Sequence, residues 1–163
     1  IDIQDGDVIL DICFGLGYNT HAAIKKAKKL TIVALEIDEE ILSKVQELSI
    51  DKEFEIIKKL VKDKTYKDED YNIMLIMGDA TETIKGVDKV FDKVFLDPFS
   101  PKKMPKLWSE GFFKEIYKRM KPNSKLATYS CARSVRENLK AVGFTVIDGP
   151  IVGRWAPGTI SYK

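Results

Sequence analysis

The chain has one histidine, His21, and two cysteines, Cys13 and Cys131, among its 163 residues. One histidine excludes the common multi-histidine metal centres, so no metal is expected, and it speaks against a Ser–His nucleophile. Two cysteines in apolar runs are too few for a disulfide scaffold and fit a reducing compartment, so a cytoplasmic location is expected. No apolar run approaches the roughly 20 residues that cross a bilayer, and no membrane association is expected. Internal repeats, low-complexity tracts and a signal peptide are all lacking. The chain opens on Ile1 rather than Met, which leads to the expectation that it is truncated at the N-terminus.

What is present is a globular composition, 44% hydrophobic and 32% charged, of a length that suits one domain over residues 1–163. The net charge of +2 conceals an asymmetry. Residues 1–98 hold 14 Lys+Arg against 21 Asp+Glu, a balance of −7, and residues 99–163 hold 13 against 4, a balance of +9. A basic second half is what a polyanionic partner requires.

Strand-like and helix-like segments alternate. Asp7–Phe14, Leu30–Leu35, Asn72–Met77, Asp92–Leu96 and Lys125–Ser130 read as buried strands, with Phe144–Ile147 and Thr159–Tyr162 as two last ones. Helices are expected over Asn19–Lys29, from Glu39 (capped by Asp38) to about Val61, over Ser109–Met120, and over Val135–Val142, which Gly143 ends. Lys62–Asp70 reads as a charged connection and Lys121-Pro122-Asn123-Ser124 as a turn. The pattern predicts an α/β fold with a doubly wound, mostly parallel seven-stranded sheet, whose ligands bind at the carboxyl ends of the strands.

The polar and glycine-rich residues fall at those ends. The first strand runs through Asp11 into Phe14-Gly15-Leu16-Gly17-Tyr18-Asn19, a turn where glycine lets backbone approach a ligand. Glu36 ends the second strand and is placed to accept hydrogen bonds from ribose hydroxyls. Asp79, in Gly78-Asp79-Ala80 after the third strand, is placed to hold an adenine amino group. The pyrophosphate fingerprint wants a third glycine where this chain has Thr20, so a dinucleotide is disfavoured. S-adenosylmethionine carries no phosphate, and its ammonium and sulfonium charges favour carboxylates. The candidate cofactor residues are therefore Asp11, Phe14, Gly15, Gly17, Asn19, Glu36, Asp79 and Ala80.

The fourth strand runs into Leu96-Asp97-Pro98-Phe99-Ser100-Pro101-Lys102-Lys103 and on to Trp108. A methyl-accepting amine must be neutral to attack, yet an alkylamine is mostly protonated at neutral pH. Asp97 is the candidate catalytic residue, to orient such an amine and take its proton. Phe99 could stack on a base or face the amine through its ring. Phe99, Lys102, Lys103, Trp108 and Arg154 are the candidate substrate contacts, with Arg133 and Arg136 as further candidate RNA contacts.

Three segments together resemble the methyltransferase half of MnmC-like tRNA 5-aminomethyl(-2-thio)uridine methyltransferases and their stand-alone relatives. They are Phe14–Asn19, Phe95–Trp108, and Leu126-Ala127-Thr128-Tyr129-Ser130 with Val135-Arg136 and Gly143-Phe144. The resemblance implies a Rossmann-like class I fold, S-adenosylmethionine as donor, an aminomethyl group on the wobble uridine of tRNA as acceptor, and Asp97 as the acid-base residue. The chain differs from that pattern at Cys13 and Pro98, where glycine is usual, and at Gly153-Arg154-Trp155-Ala156-Pro157, where the family is more basic. A small-molecule amine methyltransferase or a polyamine aminopropyltransferase would place acids at the same strand ends, and a non-catalytic RNA-binding module could keep the same fold.

Overall fold

The computed structural model of the chain describes residues 1–151 and 155–163. Five strands form its parallel centre: β1 (Val8–Ile12), β2 (Leu30–Glu36), β4 (Tyr71–Met77), β5 (Phe91–Leu96) and β6 (Met120–Thr128). Three more pair antiparallel at the edges: β3 (Thr65–Lys67) on β4, β8 (Thr159–Tyr162) on β6, and β7 (Thr145–Asp148) on β8. The order across the sheet is β3-β4-β2-β1-β5-β6-β8-β7, so β1 is central.

Side chains alternate across a strand, and the apolar runs use both faces. Leu10, Ile12, Val33, Leu35, Val94 and Leu96 point one way. They pack on Phe112, Phe113 and Ile116 of α5 (Glu110–Lys118) and on Val135 and Leu139 of α6 (Arg133–Val142). Ile9, Ile32, Ala34, Ile73 and Leu75 point the other way, onto α1 (Tyr18–Lys26), α2 (Glu39–Val45) and α3 (Phe54–Asp63). The sheet is doubly wound, and no helix among the described residues is long and apolar enough to cross a membrane.

Three local expectations need correction. The helix expected from Glu39 to Val61 is two helices, because Asp51 starts a new one: its Oδ1 accepts the Phe54 N–H at 3.1 Å and also meets His21 Nε2 at 2.7 Å, while its Oδ2 accepts from Lys25 at 2.7 Å. The connection expected at 62–70 holds β3, an eighth strand. Lys64, in the left-handed region at φ 61°, turns the chain out of α3 so that Thr65 lies opposite Met74. Residues 121–124 do not interrupt β6 but bulge from it. Met120 pairs with Phe91 and Lys125 with Lys93, and Asn123 at φ 61° donates its N–H to the Lys163 carbonyl at 3.0 Å. A short helix, α4 (Ala80–Thr83), has too few residues to show a period in the sequence; Asp79 caps it by accepting the Thr81 N–H at 2.9 Å.

The turn between β1 and α1 is tightly packed. Gly17 has φ 81°, and a Cβ there would lie 2.6 Å from Ile57 Cγ2 and 2.7 Å from Phe14 Cζ. Gly17→Ala is therefore expected to destabilise the fold by about 2–4 kcal/mol, from left-handed strain and overpacking together. Urea denaturation of the two proteins measures it.

Candidate active site

Above the carboxyl ends of β1, β2, β4 and β5 lies a cavity of about 540 Å³. Its polar lining is Gly15, Glu36, Asp38, Gly78, Asp79 and Asp97; Leu35, Ile37, Ile41, Ala80, Met104 and Leu107 make its apolar walls. Phe99, Lys103 and Lys106 close its outer side. A second cavity of about 400 Å³ lies over the ends of β5, β6 and β8, between Asn19, Tyr129, Pro150 and Gly158. Asp97 lines both.

Glu36 is buried and held by three backbone N–H groups. Its Oε2 accepts the Gly15 N–H at 2.8 Å, and its Oε1 accepts the N–H groups of Ile37 and Asp38 at 2.7 and 2.9 Å. The carboxylate thus pins the glycine turn to the end of β2 and faces the cavity in one orientation. Asp79 keeps its carboxyl below the usual range, chiefly because the Thr81 hydroxyl and then the Thr81 N–H donate to it.

Asp11 is completely buried beneath the turn and lines neither cavity. Its Oδ2 accepts the Thr20 hydroxyl at 2.7 Å, and its Oδ1 faces Asn19 Nδ2 at 3.4 Å. Burial pushes its carboxyl up to about 7, opposed by the Thr20 hydroxyl and reinforced by the Asp97 charge. Asn19 also donates to Asp97 Oδ2 at 2.9 Å. Asp97 Oδ1 accepts the Tyr129 N–H at 3.2 Å. Cys13, beside this group, is pushed up to about 12, first by burial and then by the charges of Glu36, Asp11, Asp97 and Asp79. That thiol stays protonated, and its environment reports four carboxylates converging on the turn.

The candidate residues separate accordingly. Gly15, Glu36, Asp79, Ala80, Asp97, Phe99 and Lys103 share the first cavity. Asp11, expected from the sequence as a cofactor residue, stands behind the turn, with the Asn19 amide between it and Asp97. Phe14 and Gly17 pack against each other on the core side of the turn rather than in the cavity, Phe14 being buried among Ile9, Ile57 and their neighbours. Asn19 faces the second cavity. Lys102 is exposed on the same loop as Lys103, whose Nζ lies 5.4 Å from the Phe99 ring centre, and Phe99 is 61% exposed.

Trp108 is not a surface contact. It is buried, and its indole N–H donates to the Phe99 carbonyl at 2.8 Å, which holds the loop from within. Arg136 is bound to the Thr159 hydroxyl, the Gly158 carbonyl and Asp148, and Arg133 is paired with Glu137. Arg154 lies outside the described residues. Tyr129 is a site residue that the sequence pattern does not single out: its N–H holds Asp97, its hydroxyl donates to the Pro98 carbonyl at 2.9 Å, and its ring stands edge-on to Trp108. Its place just past the end of β6 was the available signal.

A family model described as S-adenosyl-L-methionine-dependent methyltransferase matches residues 38–163. The chain belongs to this family. An uncharacterized protein of Methanocaldococcus jannaschii is 42% identical over 163 residues, which cover 95% of this chain and 46% of that protein. The bifunctional tRNA 5-methylaminomethyl-2-thiouridine biosynthesis protein MnmC of Campylobacter concisus is 32% identical over 158 residues, 86% of this chain and 25% of that protein. The chain thus spans less than half the length of these relatives. The crystal structure of MnmC2 from Aquifex aeolicus superimposes with a TM-score of 0.80 at 30% identity, over 96% of this chain and 53% of that one. A Pyrococcus furiosus methyltransferase, at 21% identity and a TM-score of 0.65, shares the fold.

The cofactor of a methyltransferase fits these residues, and a dinucleotide does not. Where a pyrophosphate-binding turn needs its third glycine, Thr20 is buried with its hydroxyl given to Asp11, and the surrounding charges are carboxylates that would repel phosphate. Glu36 would hold the ribose, Asp79 with Ile37 and Ala80 the adenine, and the acidic surroundings of the turn the cationic methionine end. Among the described residues no group of His, Cys, Asp and Glu is disposed to hold a metal ion.

The buried Asp11 makes stability depend on pH. Its folded value of about 7 lies above the ordinary carboxylate value near 4, so between those values the folded chain holds a proton that the unfolded chain releases. Its contribution is fully present below about pH 4, is lost as pH rises toward 7, and is constant above. Asp11→Asn is expected to remove that slope and to raise stability at pH 8 by roughly 1–3 kcal/mol. Denaturant melts from pH 4 to pH 8 measure both effects.

Proposed function

We propose that the chain methylates the aminomethyl nitrogen of a wobble uridine in tRNA, converting 5-aminomethyl-(2-thio)uridine to its 5-methylaminomethyl form. The observation that carries this reading is the position of Asp97 in the wall between the two cavities. The names of the MnmC relatives support the choice of acceptor. The exposed loop bearing Phe99, Lys102, Lys103 and Lys106 offers cations and an aromatic face for a nucleic acid.

Bound S-adenosylmethionine supplies an electrophilic methyl group on a sulfonium. The acceptor amine, entering from the second cavity as an ammonium, meets the Asp97 carboxylate in that cavity's lining. Each Asp97 oxygen already accepts one hydrogen bond, from Asn19 on one side and the Tyr129 N–H on the other, and keeps a lone pair for the ammonium. Asp97 orients the nitrogen and relays its proton toward solvent. Transfer of that methyl group to the neutral amine would leave the donor as a neutral thioether, with the proton taken up by way of Asp97.

Labelled methyl is expected to pass from S-adenosylmethionine to tRNA that carries unmethylated aminomethyl-uridine. Asp97→Ala should cut the rate by about 10²–10⁴-fold at nearly unchanged cofactor affinity. Methylation of a small amine but not of tRNA would contradict the acceptor assignment. Replacing Lys102, Lys103 and Lys106 with Glu should flatten the plot of log tRNA affinity against log salt, its slope falling by about 2, because each neutralised phosphate contributes roughly 0.7–0.9 to it.

A further inference from the structure

The polar groups behind the two cavities form one chain of hydrogen bonds. The Thr20 hydroxyl donates to Asp11, the Asn19 amide nitrogen faces Asp11 at 3.4 Å and donates to Asp97 at 2.9 Å, and the Tyr129 N–H donates to the other Asp97 oxygen. Asp11 belongs to β1, opposite Phe95 in β5, and Asp97 follows the last residue of β5. Neighbouring strands therefore bring two carboxylates to the same end of the sheet. The Asn19 amide stands between them, and its NH₂ has two hydrogens, one for each acceptor.

Asn19 is held rigidly enough for that task. It is the second residue of α1, and the turn before it is fixed by the Gly17 N–H to Phe14 carbonyl bond at 2.9 Å and by Glu36 on Gly15. It lines the second cavity and not the first. We propose that Asn19 is a positioning residue for methyl transfer: its amide, donating to both Asp11 and Asp97, holds the Asp97 carboxylate turned toward the acceptor cavity and keeps the two like charges from displacing it. The proposal rests on the reading of Asp97 as the residue that handles the acceptor. A Thr or Ser in place of Asn19 would offer one donor, and an ionised acid none. The amide is thus matched to the two carboxylates in a way that packing alone would not demand.

Two substitutions test it. Asn19→Ala should lower kcat by about 10–100-fold, as expected for a misplaced catalytic group, while the cofactor Kd from calorimetry changes by less than about threefold. Asn19→Asp keeps the shape of the side chain, so it guards against a variant that simply misfolds. It should be as impaired as the alanine variant at pH 8 and regain part of its activity as the pH is lowered, when its protonated carboxyl can donate its one O–H to Asp97. The alanine variant should show no such recovery. Full kcat in Asn19→Ala, or a loss of kcat matched by an equal loss of cofactor affinity, would overturn the proposal. If the wild-type chain methylates no tRNA, the acceptor assignment fails and a second readout still decides this one. Carbon-13 NMR of the Asp carboxyls should then show the Asp11 midpoint moving up from about 7 in Asn19→Ala, and an unmoved midpoint would overturn it.

Discussion

The backbone after β1 passes through the left-handed region three times in five residues, at Cys13 (φ 64°), Gly15 (φ 57°) and Gly17 (φ 81°). The whole site hangs on that turn. It stops β1 at the sheet's centre, opens the space above the strand ends, and starts α1 with Asn19 and Thr20 facing back toward Asp11. Glycine accepts such a path freely, and a residue with a Cβ costs roughly 1–2 kcal/mol there, so Cys13 is held by its surroundings. Its N–H and that of Phe14 both donate to the Leu35 carbonyl, at 3.0 and 3.1 Å. Glu36 completes the clamp through the Gly15 N–H, so one carboxylate serves both the fold and the cavity.

Electrostatics then divides the molecule. Four carboxylates converge at the turn, while the outer loop carries Lys102, Lys103 and Lys106. Carboxylates inside favour a cationic ligand and repel phosphate; lysines outside attract phosphate and keep it at the rim. On the proposed reading, a methyl donor bearing a positive sulfur and a polyanionic acceptor would be sorted by charge before any close contact forms. The +9 balance of residues 99–163 and the −7 balance of residues 1–98 are the large-scale trace of that division.

Much of this was legible in the residues. Continuous apolar runs alternating with helical periodicity identified the doubly wound sheet, because strands buried on both faces leave no polar alternation to confuse the reading. Acids at strand ends marked Glu36, Asp79 and Asp97. Direction was harder to read than position. Asp11 and Trp108 carry the residue types of ligand contacts, yet one is sealed under a turn and the other braces a loop through the Phe99 carbonyl. Burial of this kind depends on how two layers close, which a one-dimensional pattern does not contain. The eighth strand, a three-residue edge piece, lacks the length to show a period at all. The break at Asp51 came from a side chain capping its own neighbour, a local bond that competes with helix.

If the cavity beside the turn recognises a cation, and Asp11 is the buried group that adjusts the site's charge, then cofactor binding must move a proton. Calorimetric titration of S-adenosylmethionine at pH 7, in two buffers of different ionisation heat, counts that proton. A cation arriving near a carboxyl poised at about 7 should expel it. Release of roughly half a proton per cofactor bound is expected in the wild type, and none in Asp11→Asn. A binding heat that does not depend on the buffer, or the same release in Asp11→Asn, would contradict this picture of the site.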